Sequence, residues 1–98
     1  MNLTGKQKSF LRSLAMTKKA VFQIGKDGLT QPMIQTVGDY LFKNELVKII
    51  MLDSCPLDKT EIVDAFESQG FEVIQTIGKN IVLYQKNPQL EHGIVLPR

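Results

Sequence analysis

Phe10, Leu11, Leu14 and Ala15 recur at helical spacing and draw a single apolar stripe, with Lys8 and Arg12 one turn apart on its flank. Thr4-Gly5-Lys6-Gln7 ahead of them has capping-box spacing, so the pattern predicts an amphipathic helix over residues 5–16 with a basic side. Ala20-Val21-Phe22-Gln23-Ile24 is short, apolar and β-prone and stops at Gly25, which predicts a buried strand. Beyond a turn at Gly25–Gly28, Thr30 can cap a second helix, and Pro32 falls in its first turn, where a missing N–H costs little. Met33, Ile34, Val37 and Leu41 make the buried face of that helix, and Gly38 on the same face leaves room for a close neighbour. Asn44, a residue that tolerates a left-handed backbone, marks the expected stop.

Leu46–Leu52 is almost continuously apolar, as expected of a strand interior to a sheet. Asp53-Ser54-Cys55-Pro56 breaks it. Asp58 and Glu61 then form a second capping pair, with Leu57 and Ile62 at staple spacing; Ile62, Val63, Ala65 and Phe66 face inward until Gly70 ends the helix. Phe71–Ile77 and Ile81–Gln85 read as strands of a hairpin turned at Gly78-Lys79-Asn80. From Asn87 the pattern dissolves between Pro88 and Pro97, giving one domain over residues 1–88 and a flexible tail over 89–98. The order α-β-α-β-α-β-β implies a two-layer α/β sandwich with a mixed four-stranded sheet, parallel where helices cross over and antiparallel in the hairpin.

Composition narrows the function classes. A chain of 98 residues can bury a core without metals or disulfides, and a single cysteine, Cys55, staples nothing internally. No apolar run approaches the length of a membrane span, and the polar start Met1–Lys8 lacks the h-region of a signal peptide, so a cytoplasmic protein is expected. The net charge of +2 hides an asymmetry: residues 1–26 carry six bases and no acid, while the remainder carries six bases and ten acids. A basic quarter of this kind suits a phosphate backbone or an acidic protein surface, and equally a solvated helix.

The sharpest local feature is Gly25-Lys26-Asp27-Gly28 between a strand and a helix. Two glycines clear side chains from a turn so that a ligand backbone can approach its N–H groups. The following helix aims its positive end at the same place, and Lys26 adds a mobile charge. A GxxG turn of this sort clamps nucleic-acid backbone in KH domains, whereas the spacing of a P-loop is missing. Catalytic chemistry finds little footing. His92, the only histidine, lies in the tail; Cys55 sits beside Pro56 without an evident base; and Asp58 and Glu61 are accounted for by capping. Tyr40 and Phe42 offer a stacking surface at most. No cofactor, metal or small-molecule substrate is expected.

Taken together, Leu11-Arg12-Ser13-Leu14-Ala15, Val21-Phe22-Gln23-Ile24-Gly25-Lys26-Asp27-Gly28-Leu29-Thr30, Glu45-Leu46-Val47-Lys48, Ile77-Gly78-Lys79 and Leu83-Tyr84 resemble the CRM domain (chloroplast RNA splicing and ribosome maturation) in its bacterial stand-alone, YhbY-like form, over residues 2–88. The resemblance implies RNA binding, an association with rRNA of the precursor large ribosomal subunit, and a fold similar to the C-terminal domain of translation initiation factor three, with helices on one sheet face. It transfers the loop role to Gly25, Lys26 and Gly28, with Asp27 in the variable place, and a basic-helix role to Lys8, Arg12, Lys18 and Lys19; Asp27 and Thr30 complete the expected RNA-binding set. The family often has Asn where Asp27 stands, His and Pro where Met16 and Ala20 stand, and Arg where Gln85 stands. A monomer is expected, with a protein-interaction module docking an acidic partner through the first helix as the alternative.

Overall fold

The computed structural model describes residues 3–90 and 93–97, so the reading of His92 lies outside the described residues. Three helices start where side chains satisfy the first free N–H groups. Thr4 Oγ1 accepts from Gln7 N at 3.1 Å and Gln7 Oε1 accepts from Thr4 N at 3.0 Å, opening α1 (Gly5–Met16). Thr30 caps α2 (Gln31–Asn44), and Asp58 Oδ1 accepts from Glu61 N at 2.8 Å to open α3 (Lys59–Ser68). The strands are β1 (Phe22–Ile24), β2 (Leu46–Met51), β3 (Glu72–Ile77) and β4 (Asn80–Tyr84). β1 is shorter than its apolar run, although Val21 N still donates to Lys48 O at 2.8 Å ahead of it.

The sheet order is β1-β2-β4-β3, with β1 parallel to β2 and the other pairs antiparallel, the mixed four-stranded arrangement that the element order implies. Alternation sorts its side chains into two cores. Val47, Ile49, Ile81 and Leu83 join Val37 and Leu41 of α2 and Ile62 and Phe66 of α3 on the front face. Leu46, Val82 and Tyr84 point the other way, onto Leu11 and Ala15 of α1. Helices therefore cover both faces, not one: α1 forms a partial third layer behind the sheet. This is why β2 and β4 are apolar on both sides over the stretch that α1 covers. Gly38 does make a close approach, since a Cβ there would stand 3.4 Å from Phe71 Cζ.

Two further expectations are corrected. The left-handed residue ending α2 is Glu45 (φ 65°), not Asn44, whose Nδ2 instead donates to Tyr40 O at 3.0 Å. The described part of the tail is tied down rather than loose. Glu45 is buried, and its two carboxylate oxygens accept from Asn87 N at 2.7 Å and Ile94 N at 2.6 Å. Asn87 Nδ2 donates to Phe42 O at 2.6 Å, Gln7 Nε2 donates to Pro97 O at 3.1 Å, and Ile94 and Leu96 pack on the back core. A buried carboxylate is tolerable here because backbone donors replace its water. Tyr84, beneath the same region, has a hydroxyl with no partner among the described residues; burial, with Glu45 nearby, pushes its pKa up to about 12.

Candidate nucleic-acid interface

β1, β2 and β3 run in one direction, so the loops after β1 and β2 and the β3–β4 hairpin share one end of the sheet. Leu52 N donates to Ile24 O at 2.9 Å and Met51 N to Lys79 O at 2.8 Å, fastening the three connections side by side. Asp53 is paired with Lys79 there, an exposed contact worth little stability but one that offsets an acidic charge near the loop.

The turn after β1 is closed by Gly28 N donating to Gly25 O at 3.0 Å, which leaves Lys26 and Asp27 at its corners, both exposed. The two glycines serve different ends. Gly28 is buried with φ +66°, and a Cβ on it would lie 3.5 Å from Leu57 Cδ1, so it meets a backbone and packing requirement. Gly25 has no such backbone requirement and borders an open cleft of about 460 Å³. Gln23, Lys26, Thr30, Met33, Leu52 and Ser54 line this cleft too, as do Asp27 and Gly28.

Several of the donors expected to receive a phosphate are engaged or absent within the turn and the first turn of α2. Gly28 N–H is used by the turn, Pro32 has none, and Met33 N donates to Thr30 Oγ1 at 3.3 Å. Ile34 N donates to Thr30 O at 3.0 Å. The dipole of α2 still faces the loop, and among the described residues the exposed Lys26 ammonium has no ion-pair partner.

A second cleft, of about 250 Å³, lies along the same sheet edge at the start of β1, where Lys18, Lys19 and Lys48 gather beside Val21 and Tyr40. From Lys19 to Gly25 the chain spans about 20 Å if extended. Lys8 and Arg12 are half-buried on α1, which packs on the opposite face, and they line neither cleft. The structure thus brings together Gly25, Lys26, Asp27, Gly28 and Thr30, brings Lys18 and Lys19 to the same edge, and leaves Lys8 and Arg12 elsewhere. Lys48, Gln23, Leu52 and Ser54 escape the sequence reading. The signal for Lys48 is its position as the lone charge in an otherwise apolar strand.

Tyr40 is committed to packing, meeting Phe22 edge-to-face with centroids 5.6 Å apart, while Phe42 is exposed. The half-buried Cys55 directs its Sγ at Leu57 O, 3.6 Å away. Among the described residues no three His, Cys, Asp or Glu side chains gather as metal ligands, and no helix is long and apolar enough to cross a membrane.

Comparison with known proteins agrees on one family. The CRS1 / YhbY (CRM) domain matches residues 3–85. The probable RNA-binding protein YqeI of Bacillus subtilis is 41% identical over 93 residues, 91% of this chain and 97% of its own. A Haemophilus influenzae protein named RNA-binding protein is 36% identical over 98 residues, 98% of this chain and 96% of its own. The solution structure of SAV1595 from Staphylococcus aureus superposes with a TM-score of 0.78 at 40% identity, covering 98% of this chain and all of that one. With the glycine turn, the mixed sheet and these matches in agreement, the chain belongs to the CRS1/YhbY (CRM) domain family.

Proposed function

We propose that this protein is a non-catalytic RNA-binding protein that grips phosphodiester backbone along the β1 edge and serves assembly of the large ribosomal subunit by contacting its precursor rRNA, as a cytoplasmic monomer. The observation that carries this reading is the placement of an exposed Lys26, unpaired among the described residues, on a turn that opens a cleft, on the same edge as Lys18, Lys19 and Lys48. The relatives named as RNA-binding proteins support it. A turn built this way holds phosphates by charge, so the grip itself is indifferent to base identity.

The test is titration of a large-subunit rRNA fragment at several salt concentrations, with NMR mapping. Four lysines on single-stranded phosphates give a log–log salt slope of about −3, and Lys26→Ala should reduce its magnitude by just under 1 while weakening all sequences alike. Salt-insensitive binding, or shifts that avoid residues 25–30, would sink the reading. Sedimentation of the free protein checks the monomer.

The position of Lys8 and Arg12 away from both clefts favours a second reading, in which α1 docks an acidic protein. That reading requires an acidic partner bound without RNA, weakened by Arg12→Ala and untouched by Lys26→Ala.

A further inference from the structure

The back face of the sheet is only half covered. Cross-strand pairing arranges it in rows: Leu46 with Tyr84, then Lys48 with Val82 and Gln75, then Ile50 with Asn80 and Ile77. Leu11 and Ala15 of α1 cover the first row and reach Val82. Beyond them an open cleft of about 210 Å³ remains between the C-terminal turn of α1 and the last two rows. Its rim carries two large apolar side chains left in solvent, Met16 at 79% and Ile77 at 61% exposure.

The polar lining comes from Lys48, Gln75 and Asn80, and among the described residues none of these side chains has a hydrogen-bond or ion-pair partner. Among the described residues no acidic side chain lines the cleft. A β-bulge in β3 puts two of its walls in place. Val73 packs against the front core and Ile74 lies in the back core, so strict alternation would return Gln75 and Ile77 to the front. The register shift between Val73 and Gln75 instead sets Gln75 opposite Val82 and Ile77 opposite Asn80, both on the back face. Bulges of this kind re-aim side chains beside functional sites.

We propose that this cleft takes an unpaired base of the bound RNA, an inference that rests on the RNA-binding reading above and adds base recognition to it. Met16 and Ile77 hold the faces of the ring, as apolar side chains do around an extruded base. The Gln75 and Asn80 carboxamides each present a donor and an acceptor, matching the mixed edge of a nucleobase. Lys48 lines both this cleft and the lysine cleft on the β1 edge, which joins base and backbone contacts in one track. A base in a duplex cannot reach such a site, so the ligand is a single-stranded or looped segment.

The experiment compares short A, C and U homopolymers, and a U homopolymer with one abasic position, by fluorescence anisotropy on the full chain. Wild type should discriminate between the best and worst homopolymer by roughly tenfold and lose affinity for the abasic strand. Gln75→Ala, Asn80→Ala and Met16→Ala should each compress that discrimination, while Lys26→Ala weakens every strand and preserves it. Met16 is so exposed that its variant tests the pocket without endangering the fold. Equal binding of all strands, abasic included, with the Lys26→Ala effect intact overturns the pocket and leaves backbone binding standing. Failure to bind any RNA overturns both. A dimer that Ile77→Ser dissociates without altering RNA discrimination assigns the face to a second copy of the chain and overturns the pocket as well.

Discussion

The loop at residues 25–30 and the described tail, residues 87–90 and 93–97, both follow a strand without forming helix or strand, yet they are held in opposite ways. The loop is fixed at one point, with Gly28 buried under Leu57 and the turn closed on Gly25, while Lys26, Asp27 and Thr30 stand in solvent. In the tail, backbone N–H groups of Asn87 and Ile94 reach a buried carboxylate, and Ile94 and Leu96 enter the back core. What separates the two segments is therefore where their polar groups are satisfied. The tail's are satisfied inside the protein, whereas the charge of Lys26 has no partner among the described residues.

The contrast breaks most visibly at Glu45. Glu45→Ala strips two backbone donors of their acceptor and should cost about 3 kcal/mol in urea unfolding, with RNA affinity of the folded protein unchanged. An equal loss of RNA affinity would mean that the tail belongs to the interface.

Tyr84 tests the same region by pH. Its folded pKa is raised from 10.0 to about 12, so its full contribution is present below pH 10 and drains away as pH climbs through 12. The loss amounts to about 3 kcal/mol once ionisation is complete. Tyr84→Phe should abolish that alkaline decline, and by removing an unpartnered hydroxyl should raise neutral stability by about 1 kcal/mol.

Within the loop, the two glycines sharpen the comparison. Gly28→Ala meets a left-handed backbone and should cost about 1 kcal/mol of stability. At Gly25 a new Cβ would rest 3.6 Å from both Leu52 Cδ1 and Ser54 Oγ, ordinary contact, so Gly25→Ala should change stability by less than about 0.5 kcal/mol. It should weaken RNA instead, because it narrows the cleft. Smallest is Asp27→Asn, which removes one exposed negative charge beside Lys26 and should tighten RNA binding a few-fold at low salt, an advantage that fades as salt rises.

Much of this fold is legible in the chain because its decisive signals are local. Thr4, Thr30 and Asp58 mark helix starts through bonds only three residues long. The glycine turn is legible for the same reason. What is not legible depends on contacts distant in sequence. The face chosen by α1 cannot be read from β2 and β4, whose side chains, Lys48 and Asn80 aside, are apolar on both sides. Glu45 reads as a surface charge at a helix end until Asn87 and Ile94 arrive from the far end of the chain. The separation of Lys8 and Arg12 from Lys18 and Lys19 has the same origin, since a charge count along the sequence does not record that α1 crosses behind the sheet. The back cleft is hidden by a bulge, which reverses the alternation on which strand reading depends.

The bond from Gln7 Nε2 to Pro97 O gives the chain a property of a different kind. It brings the first turn of α1 and Pro97 side by side, so a short linker can join them. The exposed connection at residues 16–20 is a natural place to open the chain instead. A permutant with Pro97 linked to the start of α1 and opened there would carry α1 as its final element, packed where it is now. Its folding would show that α1 owes its place to the surface it covers and not to its turn in the order of synthesis.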